Sequence, residues 1–116
     1  DRPSMDYNQS LDMLRISCRL SSDSTEELYT TTKIPKQTWN QFVMNYNGGT
    51  MDVFLNGELV SSNPNITPYI KLEDIIIGKD DGIHGGIRDV VHSYDLFTTH
   101  GIKMIYYIKK MMFQFE

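Results

Sequence analysis

The sequence is poor in the features that commit a chain to most chemistries. It holds one cysteine, Cys18, in 116 residues, so no disulfide can form within it. A lone Cys with no activating histidine beside it reads as a small buried hydrophobe rather than a thiolate nucleophile. Positive charge is scarce, with 11 Lys plus Arg against 15 Asp plus Glu and a net charge of −4. Phosphate backbones need a clustered basic surface. The basic clusters here, Arg15/Arg19 and Lys103/Lys109/Lys110, are small, so no nucleic-acid partner is expected. No apolar run approaches ~18 residues, so the chain has no transmembrane segment. The first residues, Asp1-Arg2-Pro3-Ser4, lack both the apolar core of a signal peptide and a Met start. The expectation is a processed product or a piece of something larger.

What is present is one small domain's worth of globular sequence, 40% hydrophobic and 22% charged. Short alternating segments separated by turn signals read as an antiparallel β protein. Leu14, Ile16 and Cys18 alternate with Arg15, Ser17 and Arg19. Ser21 to Glu27 is polar and reads as a loop, and Leu28 to Ile34 is a strand stopped at Pro35. Thr38 to Tyr46 sets Phe42, Met44 and Tyr46 on one face, with Trp39 at its start. Asn47-Gly48-Gly49 and Asn56-Gly57 are tight reversals, which makes a three-strand meander with Thr50 to Leu55 at its centre. Trp39, Phe42, Met44, Val53 and Leu55 are its expected buried residues. Ser61 to Pro68 is a turn-rich connection. Asp74 to Gly78 and Ile87 to Tyr94 are further strands, and Thr98 to about Lys110 is a helix capped by Thr98 or Thr99. Ile102, Ile105 and Tyr106 form its docking face.

Two blocks carry a family likeness: the run from Ile34 through Trp39 to Val43 followed by Gly49 to Val60, and Gly85-Gly86-Ile87-Arg88-Asp89-Val90-Val91 followed by Phe97-Thr98-Thr99 and Ile102 to Tyr106. In this order and spacing the chain resembles laminin-G-like, concanavalin-A-like jelly-roll domains over about residues 11 to 108. Pro68-Tyr69, Asp74-Ile75-Ile76-Ile77-Gly78 and Gly82 to Ile87 make it similar to those encoded by large DNA viruses of algae and protists. Such domains often have a Cys where this chain has Arg88, which leaves Cys18 without a mate. They also tend to have an aromatic pair where His92-Ser93 stand. The resemblance implies an all-β fold, an antiparallel β-sandwich incomplete at the N-terminus with one short C-terminal helix. The domain is expected over residues 1–110, with an apolar tail at 111–116.

An enzyme of this fold needs two carboxyls on one cleft, about 5–5.5 Å apart for retention or 6.5–9.5 Å for inversion. Glu26-Glu27, Glu73-Asp74 and Asp80-Asp81 are sequence neighbours, which a strand would turn to opposite faces, so no catalytic dyad is expected. His84, His92 and His100 are too scattered for a zinc set. The resemblance makes Asp80 and Asp81, in the Lys79-Asp80-Asp81-Gly82 turn, candidate calcium ligands, against the plain reading of a solvated turn. No other cofactor is expected. Asn8-Gln9-Ser10 and Asn65-Ile66-Thr67 match the glycosylation pattern.

The expected function is a non-catalytic structural or adhesive module of a virion or extracellular surface. It would bind other structural proteins of an assembly through Met111, Met112, Phe113 and Phe115, which a soluble monomer does not leave exposed; alternatively this tail folds back onto the domain's own exposed edge. The alternative is a lectin-like module that takes surface glycans at the loop rim, with calcium.

Overall fold

The computed structural model describes residues 3–21, 23–68, 77, 85–87, 89–91 and 96–114, with side chains through 111. Two compact units share the chain. One is formed by residues 1–33 and 67–94, the other by residues 34–66 and 95–116.

The first unit contains an antiparallel sheet in the order β1-β2-β3, from β1 (Ser4–Asn8), β2 (Met13–Ser21) and β3 (Ser24–Thr31). Alternation along β2 holds as read. Leu14, Ile16 and Cys18 are at most 3% exposed, while Arg15 stands in solvent. Ser17 departs from the pattern, being buried with its hydroxyl 3.3 Å from that of Ser4. The β1–β2 turn is closed by side chains: the Tyr7 hydroxyl donates to Asp12, and the Leu11 N–H donates to Asn8 Oδ1 at 3.2 Å.

Two corrections fall in this sheet. β1 was not anticipated, although Met5 and Tyr7 alternate with Ser4, Asp6 and Asn8. Ser21 to Glu27 is not a loop. Ser21 pairs with Ser24, and β3 runs on through Thr25, Glu26 and Glu27. Residues 24–27 are all exposed, which suits their polarity, and cross-strand backbone bonds extend them regardless. Opposite Ile16/Ser17 the register slips so that Tyr29 and Glu27 are the partners, leaving Leu28 as a bulged residue that is nonetheless buried.

The second unit carries the expected meander, β4 (Phe42–Asn47), β5 (Thr50–Leu55) and β6 (Glu58–Asn63), in the order β4-β5-β6. Its two hairpins turn on residue pairs with positive φ, Gly48 (56°) with Gly49 (89°) and Asn56 (53°) with Gly57 (82°). Both pairs have the type I′ form, whose twist matches that of the flanking strands. Register puts Phe42, Met44, Tyr46, Met51, Val53 and Leu55 on one face, and Val43, Asn45, Asp52 and Phe54 on the other. The segment after β6 is tied to one end of the first face: Ile66 is fully buried, its N–H bonds the Gly49 carbonyl, and its own carbonyl accepts from Tyr46. The second face receives the chain entering the helix, since Asn45 Nδ2 donates to the Phe97 carbonyl at 2.9 Å. Phe54 on that face is 2% exposed.

The expected buried set holds only in part. Val53 is buried and Phe42 and Leu55 half-buried, but Met44 is 36% and Trp39 48% exposed. Trp39 lies outside β4 because residues 35–41 form a loop held by amides. Asn40 Nδ2 donates to the Pro35 and Thr38 carbonyls, and Gln37 takes a positive φ. Ser61 to Asn63, expected in a connection, belong to β6. Residues 87 and 89–91 form no strand. Asp89 sits at φ 55°, which breaks an extended run, and Val90 and Val91 are 60% and 78% exposed. Of the expected Asp74–Gly78 strand only Ile77 is among the described residues.

Candidate functional site

The helix α1 spans Thr99–Gln114, about one turn longer than expected. Its start is set chemically: the Thr98 hydroxyl accepts from the Gly101 N–H at 2.9 Å, while the Thr98 carbonyl takes the first helical bond from Ile102 at 3.0 Å. One side of α1 is seated within its own unit. Ile102 is 1% exposed, and Tyr106 and Lys109 are half-buried. The helix lies against the β5–β6 turn so closely that a Cβ at Gly57 would come 3.1 Å from Tyr106 Cδ1 and 3.4 Å from Lys103 Cα. Lys103 adds an ion pair to Glu58 at 3.0 Å. That hydrogen bond and the charge of Glu58 raise the Lys103 pKa above its ordinary value.

The other side of α1 is apolar and open. Met104, Ile105, Tyr107, Ile108 and Met111 are between 37% and 58% exposed. Ile105, expected on the docking face, belongs here instead, because the helix turns its Ile102/Tyr106 stripe toward the hairpin and Ile105 lies off that stripe. At 100° per residue the three lysines of α1 flank the seated stripe, and the open arc from Tyr107 round to Ile105 holds no Lys, Arg, Asp or Glu, with His100 as its polar side chain beside Tyr107 and Met111. The Lys110 ammonium stands 5.9 Å from the Tyr106 ring centroid.

Of the four residues expected to bind a partner, Met111 is exposed on this arc. Met112 and Phe113 continue the helix rather than forming a separate tail, and Phe115 lies outside the described residues. Asp80 and Asp81 also lie outside them, as do His84 and His92. His100 is exposed in the first turn of α1. Among the described residues no group of three or more His, Cys, Asp or Glu could hold a metal ion. Among those residues, too, no helix is long and apolar enough to cross a membrane.

Two polar features complete the surface. The loop before β4 is tied to the β5–β6 turn by a ring of amides: the Gln41 N–H donates to Asn56 Oδ1 at 2.8 Å, the Asn56 N–H to the Gln41 carbonyl at 2.9 Å, and Asn56 Nδ2 to Asn40 Oδ1 at 3.0 Å. The half-exposed Trp39 stands in this loop. On the first sheet, Arg15, Ser17, Thr25 and Glu27 line an open depression of about 320 Å³, where Arg15 is 3.4 Å from Asp6. Cys18 is buried and free, and burial, helped by the nearby Glu26, pushes its thiol pKa up. That places it among inert thiols.

Among the described residues, two antiparallel three-stranded sheets with one C-terminal helix define an all-β class that suits a jelly roll. The family profile described as the concanavalin A-like lectin/glucanases superfamily, of laminin G type, matches residues 2–99. The chain belongs to that family. No curated protein matches the sequence significantly. Among solved structures, it is similar to a crystal structure of an S-layer domain-containing protein from Clostridium thermocellum, with 17% identity, a TM-score of 0.50 and 81% of this chain covered. The chain spans about half of that structure, 51% of its length. The family match ends at the first residue of α1, so almost all of the open apolar arc lies beyond it.

Proposed function

We propose that this chain is a non-catalytic structural or adhesive module of a virion or extracellular surface, joined to its neighbours by protein–protein contacts. The observation that carries this reading is the open arc of α1. A surface helix normally turns its polar side to water, whereas α1 leaves Met104, Ile105, Tyr107, Ile108 and Met111 open, and an exposed apolar patch of this kind marks an interaction surface. The S-layer domain-containing protein of similar fold supports a surface setting. Three of the carboxylates serve as ion-pair or turn partners, Asp6 with Arg15, Asp12 with Tyr7 and Glu58 with Lys103, which is structural use.

The test is deletion of residues 111–116, followed by measurement of how much chain enters particles or surface fractions. Incorporation is expected to fall while the melting temperature stays near that of the intact chain. Unchanged incorporation with a lowered melting temperature would overturn the reading, because the segment would then only support its own fold.

A second reading, a lectin-like module with surface glycans as ligand, draws on Trp39. Its side chain is half-exposed in the loop before β4, and a partly exposed indole is a residue type that stacks on sugars. A glycan array with and without a chelator tests it, and loss of binding on chelation would bring in calcium at Asp80 and Asp81.

A further inference from the structure

We infer that the open face of α1 pairs with the same face of a second copy of this chain. The inference rests on the proposed role of that face in protein contacts and names its occupant. Three features of the helix favour a copy of itself.

The first is spacing. Gly101, Met104, Ile108 and Met111 follow at intervals of three, four and three, the spacing of a two-helix seam. The second is charge. A two-fold contact sets one patch against itself, residue i meeting j and j meeting i, so on a helix whose Lys, Arg, Asp and Glu complement is lysine alone, lysines on the seam would face lysines. α1 contains Lys103, Lys109 and Lys110 and no acid, yet none of the three lies on the arc. Lys103 is held by Glu58, Lys110 stands over Tyr106, and Lys109 is half-buried beside the seated stripe. A face without lysine or carboxylate offers a charged partner no counter-charge of that kind and brings no lysine against lysine when it meets itself.

The third is area. Five side chains about half exposed offer on the order of 500 Å² a copy. Two copies would bury roughly 1,000 Å² in total, the lower bound for a specific interface. The dimer is therefore weak and concentration-dependent, forming where copies are crowded.

Sedimentation equilibrium of the intact chain from low-micromolar to near-millimolar concentration tests this, with Ile108→Glu as the disrupting variant and Leu59→Glu as control. Leu59 is equally exposed, at 50%, but lies on β6. The average mass of the intact chain is expected to rise from 13.4 kDa toward twice that value. Ile108→Glu should stay monomeric with an unchanged circular dichroism spectrum, and Leu59→Glu should associate as the parent does. A parent that remains monomeric throughout, or association that survives Ile108→Glu, overturns the inference. So does flotation of a monomeric parent with vesicles of phosphatidylcholine and phosphatidylglycerol that is lost in Ile108→Glu, which would assign the face to a lipid surface. The two readings separate cleanly. A monomeric parent whose incorporation into surface fractions still falls with Ile108→Glu keeps the protein-contact function and removes the self-pairing. Self-association through Ile108 with unchanged incorporation does the reverse.

Discussion

Gly57 shows how one residue can serve two elements. Its φ of 82° is needed by the turn, and its missing side chain leaves room for Tyr106. Gly48 has a similar φ of 56° but no neighbour within 4 Å of a built Cβ. Replacing Gly48 with Ala should therefore cost about 1–2 kcal/mol for the left-handed backbone alone. Gly57→Ala should cost more, and Gly57→Val more again, in urea denaturation. Equal losses at the two positions would mean that the helix does not lean on the turn. A second contrast separates Phe54 from Trp39. Phe54→Ala empties a buried site and should destabilise by about 3–5 kcal/mol. Trp39→Ala, at a half-exposed loop position, should cost well under half of that.

At the scale of elements, α1 is held by a cap, a stripe and an ion pair. Thr98→Ala removes the hydroxyl acceptor for the Gly101 N–H and should cost about 1 kcal/mol, with Thr98→Ser restoring most of it. Thermal melts monitored at 222 nm read both variants. Breaking the Lys103–Glu58 pair should matter less, because both side chains are largely in solvent, at 44% and 66% exposure. The meander was legible because each of its turns is written in residues that accept positive φ, and alternation between them sets the faces. β1 and the start of β3 were not, because polar strands in solvated hairpins lack the apolar alternation that periodicity detects. The strand expected after Gly86 failed on a backbone matter: Asp89 adopts a left-handed conformation that an alternating side-chain pattern does not reveal.

For the molecule as a whole, Cys18 sets a pH dependence. Burial, more than the charge of Glu26, raises its folded pKa above the ordinary value of 9.0. The folded state then holds a proton that the unfolded chain releases, so stability is full below about pH 9 and falls as pH rises above it. Cys18→Ala should be less stable at neutral pH, since it leaves a cavity, but should lose less on going to alkaline pH. Chemical denaturation at pH 7 and pH 10 compares the slopes, and identical slopes would exclude the thiol as their source. Ellman's reagent should meanwhile label Cys18 only as fast as the native sheet opens.

Local chemistry in the sequence was sufficient for the fold class, the central meander, the positions of both of its tight turns, the inward face of β2 and the capped start of α1. Each follows from contacts within a few residues, and those are what composition and spacing encode. Tertiary structure alone decided which sides of the elements are covered. Trp39 is large and apolar, yet it stands in solvent because Asn40 and Asn56 fasten its loop to a turn distant in sequence. Ile105 and Ile102 look alike on a helical wheel, but the position of the Gly57 turn seats one and leaves the other open. The candidate site exists for that reason: α1 has more apolar surface than its own unit covers, and coverage depends on how residues far apart in sequence meet.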